Sequence, residues 1–191
     1  TTSAEGTSSD SLTSFDTDGY TLGADANGYI NQTPDTHVAW SWKGSNTTAA
    51  SNSSGTLTSS VSANTTAGFS ICKYTGATGA QTFGHGLSSA PEMMLIKNLD
   101  SSGASAEHWR VYHKSIGNSK WLRLNDTNAS VSDTGPFSGT TTSSTLVYVG
   151  GDDGTCKNGE EHVAYCFHSV KGYSKVDSYS GNGNSNGAFI Y

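Results

Sequence analysis

The sequence has little charge and no long hydrophobic run. Only 14% of its 191 residues are Asp, Glu, Lys or Arg, against about 25% in an average soluble domain. It contains 10 Lys and Arg and has a formal net charge of -6, so it lacks the clustered cations that bind nucleic-acid phosphates. It also lacks a stretch of about 18 apolar residues. We therefore expect neither nucleic-acid binding nor membrane insertion.

Cysteine is also scarce. Cys72, Cys156 and Cys166 are too few and too scattered for a disulfide framework or a zinc site. Cys72 and Cys166 each lie in an apolar run, where a free thiol behaves as a small hydrophobic group. We expect buried free thiols there, and a bridge involving Cys156 is the alternative.

Strong motifs for catalysis are absent as well. The Gly-x-Ser-x-Gly spacing occurs at Gly183-Asn-Ser-Asn-Gly187, but there it lies within a run of Gly, Asn and Ser and not directly after an apolar strand, and the His residues near Cys166 belong to the same strand-like run. His85 lies between two glycines, a setting that either displays the imidazole or forms a structural turn, and we favour the turn. No pair of carboxylates stands out for glycoside cleavage. We predict that the protein is not an enzyme and has no catalytic residue and no cofactor.

What the sequence does contain is aromatic residues, 10% of the chain, in short apolar runs separated by Gly, Ser, Asn and Asp. No window has helical periodicity, whereas short runs bounded by turn residues are typical of strands. We predict an all-β fold, an antiparallel β-sandwich or jelly-roll-like architecture built from an internal repeat. The predicted strands are residues 19–22, 37–43, 69–74, 93–98, 109–113, 121–124, 146–149, 163–167, 173–179 and 188–191.

The internal repeat is the most informative feature of the sequence. The motif His37-Val-Ala-Trp-Ser-Trp42 matches His162-Val-Ala-Tyr-Cys-Phe167 at an offset of 125 residues (162 − 37). Similarly, Gly68-Phe-Ser70 matches Gly172-Tyr-Ser174 at an offset of 104 residues (172 − 68). We therefore expect residues 37–42 and 163–167 to occupy equivalent places in two copies of one β-unit.

The repeat divides the chain into four predicted parts. Residues 1–44 are the late part of a first module, 45–67 an arm or linker rich in Ser, Thr and Asn, 68–171 a complete module, and 172–191 the first strands of a further module. The arm has few apolar residues, so we expect it to be ordered by lying across a β-surface of its own or a neighbouring chain. Since the first residue is Thr1 rather than Met, we expect a processed chain or a fragment.

Several motifs, in this order, resemble a repeated module of bacteriophage tail-fibre and virion structural proteins. The resemblance implies a structural or adsorption role at a virion surface or outside the cell, and it names no catalytic residue. The motifs are Phe15-Asp-Thr-Asp-Gly-Tyr-Thr-Leu-Gly23, Ala67-Gly-Phe-Ser-Ile-Cys-Lys-Tyr-Thr-Gly76, Thr82-Phe-Gly-His-Gly-Leu87, Met94-Leu-Ile-Lys-Asn98, Trp109-Arg-Val-Tyr-His113, His162-Val-Ala-Tyr-Cys-Phe167 and Gly172-Tyr-Ser-Lys175.

Incomplete modules expose strand edges, and such edges pair with other chains. We therefore predict a self-assembling subunit that forms a head-to-tail filament or fibre, with Trp40, Trp42 and the terminal residues Ala188, Phe189, Ile190 and Tyr191 at the contacts. The alternative is a lectin-like module in which Trp109 or Trp121 stacks on the sugar rings of a host surface glycan.

The sequence contains two further kinds of candidate site, for calcium and for glycans. Asp16 and Asp18 are spaced as in the opening of a calcium loop, but Asp-Gly before a strand is also a common turn, and we predict no metal site. Of the six sequons, those at Asn46, Asn52 and Asn64 fall in the arm and are the glycosylation candidates.

Overall fold

The computed structural model describes residues 2–45, 47–101 and 107–187, and it divides the chain into two compact units. The N-terminal unit is Glu5–Trp42, and the sandwich unit comprises Thr1–Ala4 and Lys43–Tyr191. The described elements are β1 (Leu12–Phe15), β2 (Tyr20–Leu22), β3 (Ala50–Asn52), β4 (Ser59–Asn64), β5 (Phe69–Thr75), β6 (Gln81–Gly84), β7 (Met93–Asn98), β8 (Arg110–His113), β9 (Lys120–Arg123), β10 (Val131–Ser132), β11 (Leu146–Val149), α1 (Asp153–Cys156) and β12 (Glu161–Phe167).

An eight-stranded antiparallel sheet forms the first layer of the sandwich unit, in the order β10-β9-β8-β7-β12-β5-β4-β3. β12 lies near its centre, between β5 and β7. Along β12, burial alternates with the side-chain period of a strand. His162, Ala164 and Cys166 face the core, and the larger residues of β12 are half-buried on the opposite face.

The second layer is the antiparallel pair β6 and β11. Phe83 of β6 is fully buried, and its ring stacks on that of Tyr74 in β5 with centroids 4.3 Å apart. Val147 and Val149 of β11 are also fully buried in the same core cluster. This arrangement confirms the predicted all-β, antiparallel sandwich class. The small side chains of Ala164 and Cys166 on the inner face of β12 leave room for the larger side chains of β6 and β11.

The three cysteines are free and buried within the core. Cys72 and Cys166 belong to the neighbouring strands β5 and β12. Burial and the adjacent Cys72 thiol raise the pKa of Cys166, with the contact to Cys72 as the larger cause. Cys72 and Cys166 are therefore buried free thiols of the core, as expected.

The predicted strands at 69–74, 93–98, 109–113, 121–124, 146–149 and 163–167 correspond to β5, β7, β8, β9, β11 and β12, and the run at 19–22 corresponds to β2. The predicted strands at 37–43 and 173–179 were wrong, because neither segment is a strand in the structure. The described residues do not show the internal repeat as a repeated fold: β12 has two neighbouring strands, and 37–42 has none. The predicted strand at 188–191 lies outside the described residues.

The segment 45–67, expected to be an arm or linker, instead contributes β3 and β4 to the edge of the large sheet. β4 pairs with β5 along its whole length. Its inward side chains are Val61 and Ser59, and the Ser59 hydroxyl donates a 2.7 Å hydrogen bond to the Gly84 carbonyl. Contacts with its own sheet therefore order this segment, which joins the sheet rather than crossing its face.

The described part of the chain has a single helix, α1, which spans Asp153–Cys156. None of the described residues form a helix that is long and apolar enough to cross a membrane.

Candidate assembly surface

The N-terminal unit is organised by the antiparallel pair of β1 and β2. The chain reverses at residues 16–19, where the Asp16 amide donates to the Gly19 carbonyl at 2.9 Å. The Asp16 carboxylate accepts hydrogen bonds from the hydroxyls of Ser14 and Thr21 at 2.9 and 2.7 Å. These donors use the oxygens that would bind calcium, so the geometry is that of a hairpin turn. The described residues contain no group of three or more metal-ligating side chains, and this includes Asp16 and Asp18.

Asp25 anchors the loop that follows the hairpin. Its carboxylate accepts the amides of Ile30 and Asn31 at 2.6 and 2.9 Å and the hydroxyl of Ser11 at 2.8 Å. The bond from the Ile30 amide is the main cause that lowers the pKa of Asp25. Asp25 is therefore ionised, and its hydrogen bonds hold this loop against the hairpin.

Apart from Asp25, no residue of the N-terminal unit is fully buried, and all of residues 5–42 are described. Phe15 is 82% exposed, and Val38 and Trp40 are each 77% exposed. Tyr29 and Trp42 are exposed too. We call these five side chains the candidate assembly surface. Exposed apolar patches of this kind mark interaction sites, and segments this short seldom bury enough surface to be stable alone.

A cavity of about 460 Å³ lies within this unit. Aromatic and aliphatic side chains line most of it, and His37 and Ser41 contribute polar groups. The lining residues are Leu12, Phe15, Tyr20, Leu22, Tyr29, Ile30, His37, Val38, Ala39, Trp40 and Ser41. The cavity and the candidate assembly surface therefore share four residues, among them Trp40.

The two tryptophans of the lectin-like alternative lie in the sandwich unit. Trp121 is only 4% exposed, with the guanidinium groups of Arg110 and Arg123 over its ring at 4.4 and 5.2 Å. A ring enclosed in this way has no free face for a sugar, which corrects the expectation for Trp121. Trp109 is half-buried and stacks on Tyr165 with centroids 6.1 Å apart.

The glycosylation candidates have different surroundings. Asn46 lies outside the described residues. Asn52 and Asn64 are half-buried, and the Asn52 side-chain oxygen accepts the Ser54 amide at 3.0 Å. The Asn64 Nδ2 atom, which would carry a glycan, donates to the Lys43 carbonyl at 3.2 Å. The assembly candidates Ala188, Phe189, Ile190 and Tyr191 also lie outside the described residues.

His85 is fully buried and has the geometry expected of a structural turn. Its Nδ1 accepts the Leu87 amide at 3.1 Å, so Nε2 carries the proton and donates to the Ser143 carbonyl at 3.2 Å. Burial is the main cause that lowers the pKa of this imidazole. The ring holds the turn through these two bonds.

Sequence reasoning missed a pair of aspartates that follow matching glycines. The Gly23 amide donates to Ser11 at 2.8 Å, and Asp25 then caps the next loop. The Gly150 amide donates to Pro136 at 3.0 Å, and Asp152 then caps α1 through the Gly154 amide. The signal was the Gly-x-Asp spacing after both Tyr20-Thr-Leu-Gly23 and Val147-Tyr-Val-Gly150.

Comparison with known proteins gives one family. No curated protein and no solved structure matches the chain. The family match runs over residues 1–191, so it includes the N-terminal unit as well as the sandwich unit. The chain belongs to the family described as a domain of unknown function (DUF7483).

Proposed function

We propose that the protein is a non-enzymatic structural module that associates with further copies of itself in an extracellular fibre or a tail-fibre-like appendage. The observation that carries this proposal is the candidate assembly surface, whose large apolar side chains stand in solvent on a unit with no buried apolar residue. A self-associating module needs an apolar surface that is exposed in the single chain and becomes buried when a neighbouring copy binds.

The magnitude of the burial supports association. Removing one Phe or Val side chain from water contributes about 1.5–3 kcal/mol, and aromatic side chains each bury about 150–250 Å². Phe15, Val38 and Trp40 together therefore offer several kcal/mol before the entropic cost of association. A contact of this strength suits a repeating polymer, in which each copy is held at two places.

The resemblance to tail-fibre and virion modules supports the same function from a different direction. It rests on motifs spread from Phe15 to Lys175, and it adds a setting, the surface of a virion, and a task, adsorption to cells. We therefore place the proposed fibre outside the cell or on a virion surface.

Sedimentation velocity and negative-stain electron microscopy over a range of protein concentrations test the proposal. We expect the unmodified chain to form concentration-dependent oligomers or fibres, and Trp40→Ser to reduce them strongly. Leu124→Ser is the matched control, because Leu124 is also exposed, at 57%, but lies in the sandwich unit. A chain that stays monomeric at every concentration, or equal losses for both variants, would contradict the proposal.

A second candidate function is saccharide binding, favoured by the cavity of the N-terminal unit. Its volume of about 460 Å³ falls in the range of about 300–1,000 Å³ typical of ligand sites. The rings of Tyr29 and Trp40 can stack on a sugar, and His37 can hydrogen-bond to it. Saccharide titrations followed by tryptophan fluorescence distinguish the two functions: a change lost in Trp40→Ser but retained in Trp109→Ser supports binding at this cavity.

A further inference from the structure

We infer that residues 37–42 of one copy pair antiparallel with residues 173–179 of a second copy, in the register that β12 and β5 adopt within the sandwich unit. This inference rests on the proposed function, because it names the partner of the candidate assembly surface. The partner is a second copy of this chain, and the contact is a pair of β-strands.

The template is visible in the sandwich unit. β12 and β5 run antiparallel with Phe167 opposite Phe69, Cys166 opposite Ser70, Ala164 opposite Cys72 and His162 opposite Tyr74. On the core face, the His162 and Tyr74 rings stack with centroids 5.3 Å apart. On the other face, Phe167 and Phe69 have centroids 4.9 Å apart.

The chain carries a second sequence of each kind. Residues 37–42 match β12 from His162 to Phe167 position by position, with Trp40 for Tyr165, Ser41 for Cys166 and Trp42 for Phe167. Tyr173 and Ser174 match Phe69 and Ser70 at the start of β5, and the Tyr179-Ser-Gly181 motif matches Tyr74-Thr-Gly76 after one extra residue. A β-bulge accommodates one extra residue in an antiparallel pair.

When the two segments are placed in the β12–β5 register with the bulge at residues 177–178, five of the six opposed pairs are compatible, and the sixth residue, Val38, lies opposite the polar residues of the bulge. On the small face, Ser41 lies opposite Ser174 and Ala39 opposite Val176, as Cys166 lies opposite Ser70 and Ala164 opposite Cys72. With the bulge, His37 lies opposite Tyr179 rather than Ser178, which repeats the histidine–tyrosine pairing of His162 with Tyr74.

The large face is equally well matched. Trp42 lies opposite Tyr173, which gives an aromatic pair in the place of Phe167 and Phe69. Trp40 lies opposite Lys175, a pairing that allows a cation–π contact. Cross-strand pairs of this kind stabilise sheets and fix their register.

Both segments are accessible to a second copy. Neither belongs to a described strand, and the side chains of Val38, Trp40, Tyr173 and Tyr179 are largely exposed. Ser174 forms an isolated antiparallel bridge with Val170, which uses one edge of the segment as β4 uses one edge of β5. Since each copy carries one segment of each type, the contact is head-to-tail and propagates into a filament unless it closes into a ring.

Disulfide trapping between two variants, each with one introduced cysteine, tests the register. Directly opposed residues of antiparallel strands have Cα atoms about 4.5–5.5 Å apart, within disulfide range, whereas a shift of one residue turns the side chain to the other face. We would mix Ser41→Cys with Ser174→Cys under mild oxidation and use Ser41→Cys mixed with Lys175→Cys as the matched control. The native cysteines are buried and react slowly by comparison.

We expect several-fold more covalent heterodimer from the 41–174 mixture than from the 41–175 mixture. Equal yields, or no heterodimer in either mixture, would overturn the inferred register. Cross-linking seen only when Ser41→Cys and Ser174→Cys are combined in one chain, as a monomer, would overturn the second copy as partner. If the unmodified chain still assembles and Trp40→Ser still reduces assembly, such failures leave the proposed function standing. An unmodified chain that stays monomeric would overturn both the inferred strand pairing and the proposed function.

Discussion

Replacement of Phe83 by Ala removes the side chain that joins the two layers of the sandwich. Phe83 is fully buried and stacks on Tyr74 of the large sheet at 4.3 Å, and its backbone forms an isolated β-bridge with Leu57. Truncation leaves a cavity that surrounding strands fill only partly, and buried Phe→Ala changes destabilise by about 3–5 kcal/mol. We expect the free energy of unfolding of the sandwich unit to fall by that amount.

Thermal and urea unfolding followed by near-ultraviolet circular dichroism measure this change. In a protein of this size each 1 kcal/mol lowers Tm by about 2–4 °C, so we expect a decrease of about 6–20 °C. Leu124→Ala in the same unit is the control, and since Leu124 is exposed its effect should stay within about 0.5 kcal/mol. A loss for Phe83→Ala below about 1 kcal/mol would refute the assignment of β6 as the second layer.

Three further predictions concern buried or half-buried polar groups. Burial lowers the pKa of His85 and of His162, so below about pH 6.5, where imidazoles of the unfolded chain titrate, the folded chain binds fewer protons than the unfolded chain. The stabilising contribution of the neutral imidazoles is complete above that pH and is lost progressively as the pH falls from there through their lowered pKa values in the folded chain. Urea midpoints measured above that pH and at successively lower pH should show this decrease, which should be smaller in His162→Phe. Asp25→Ala should speed hydrogen exchange of the Ile30 and Asn31 amides that it caps, whereas Asp18→Ala should leave their exchange rates unchanged. Asp152→Ala removes the N-cap of α1 and one carboxylate from Arg110 and should lower the free energy of unfolding by at least about 1 kcal/mol, more than Asp152→Asn, in thermal melts.

The central strands of the sandwich were predictable because their apolar content is high. β5, β7 and β12 each combine apolar residues with flanking turn residues, and all three lie at the middle of the large sheet. β4 escaped prediction because Val61 is its only large apolar residue. It is a strand because β5 supplies hydrogen-bonding partners along its length, and a propensity argument does not include partners.

Whether a tryptophan of this chain is exposed or buried could not be predicted from its sequence motif. An aromatic residue near a strand end is compatible with either a binding groove or a core, and the choice depends on neighbours distant in sequence. Trp121 is buried because Arg110 on β8 and Arg123 on β9 place their guanidinium groups over its ring. Trp40 is exposed because residues 5–42 supply no second layer. The pairing of strands, rather than the composition of the motif, separates these cases.

The contrast between residues 37–42 and β12 carries the strongest argument about function. Both share the His-Val-Ala motif followed by alternating large and small side chains, yet only β12 is a strand, and it has β5 on one edge and β7 on the other. A sequence suited to a central strand has large residues on one face and small ones on the other. When no neighbouring strand is present, its large side chains remain exposed to water and its backbone amides and carbonyls lack the hydrogen bonds of a sheet. A neighbouring strand like β5 would bury the large side chains of residues 37–42 and provide hydrogen-bonding partners for their backbone. Residues 173–179 of a second copy have a sequence that fits the place of β5 in this pairing.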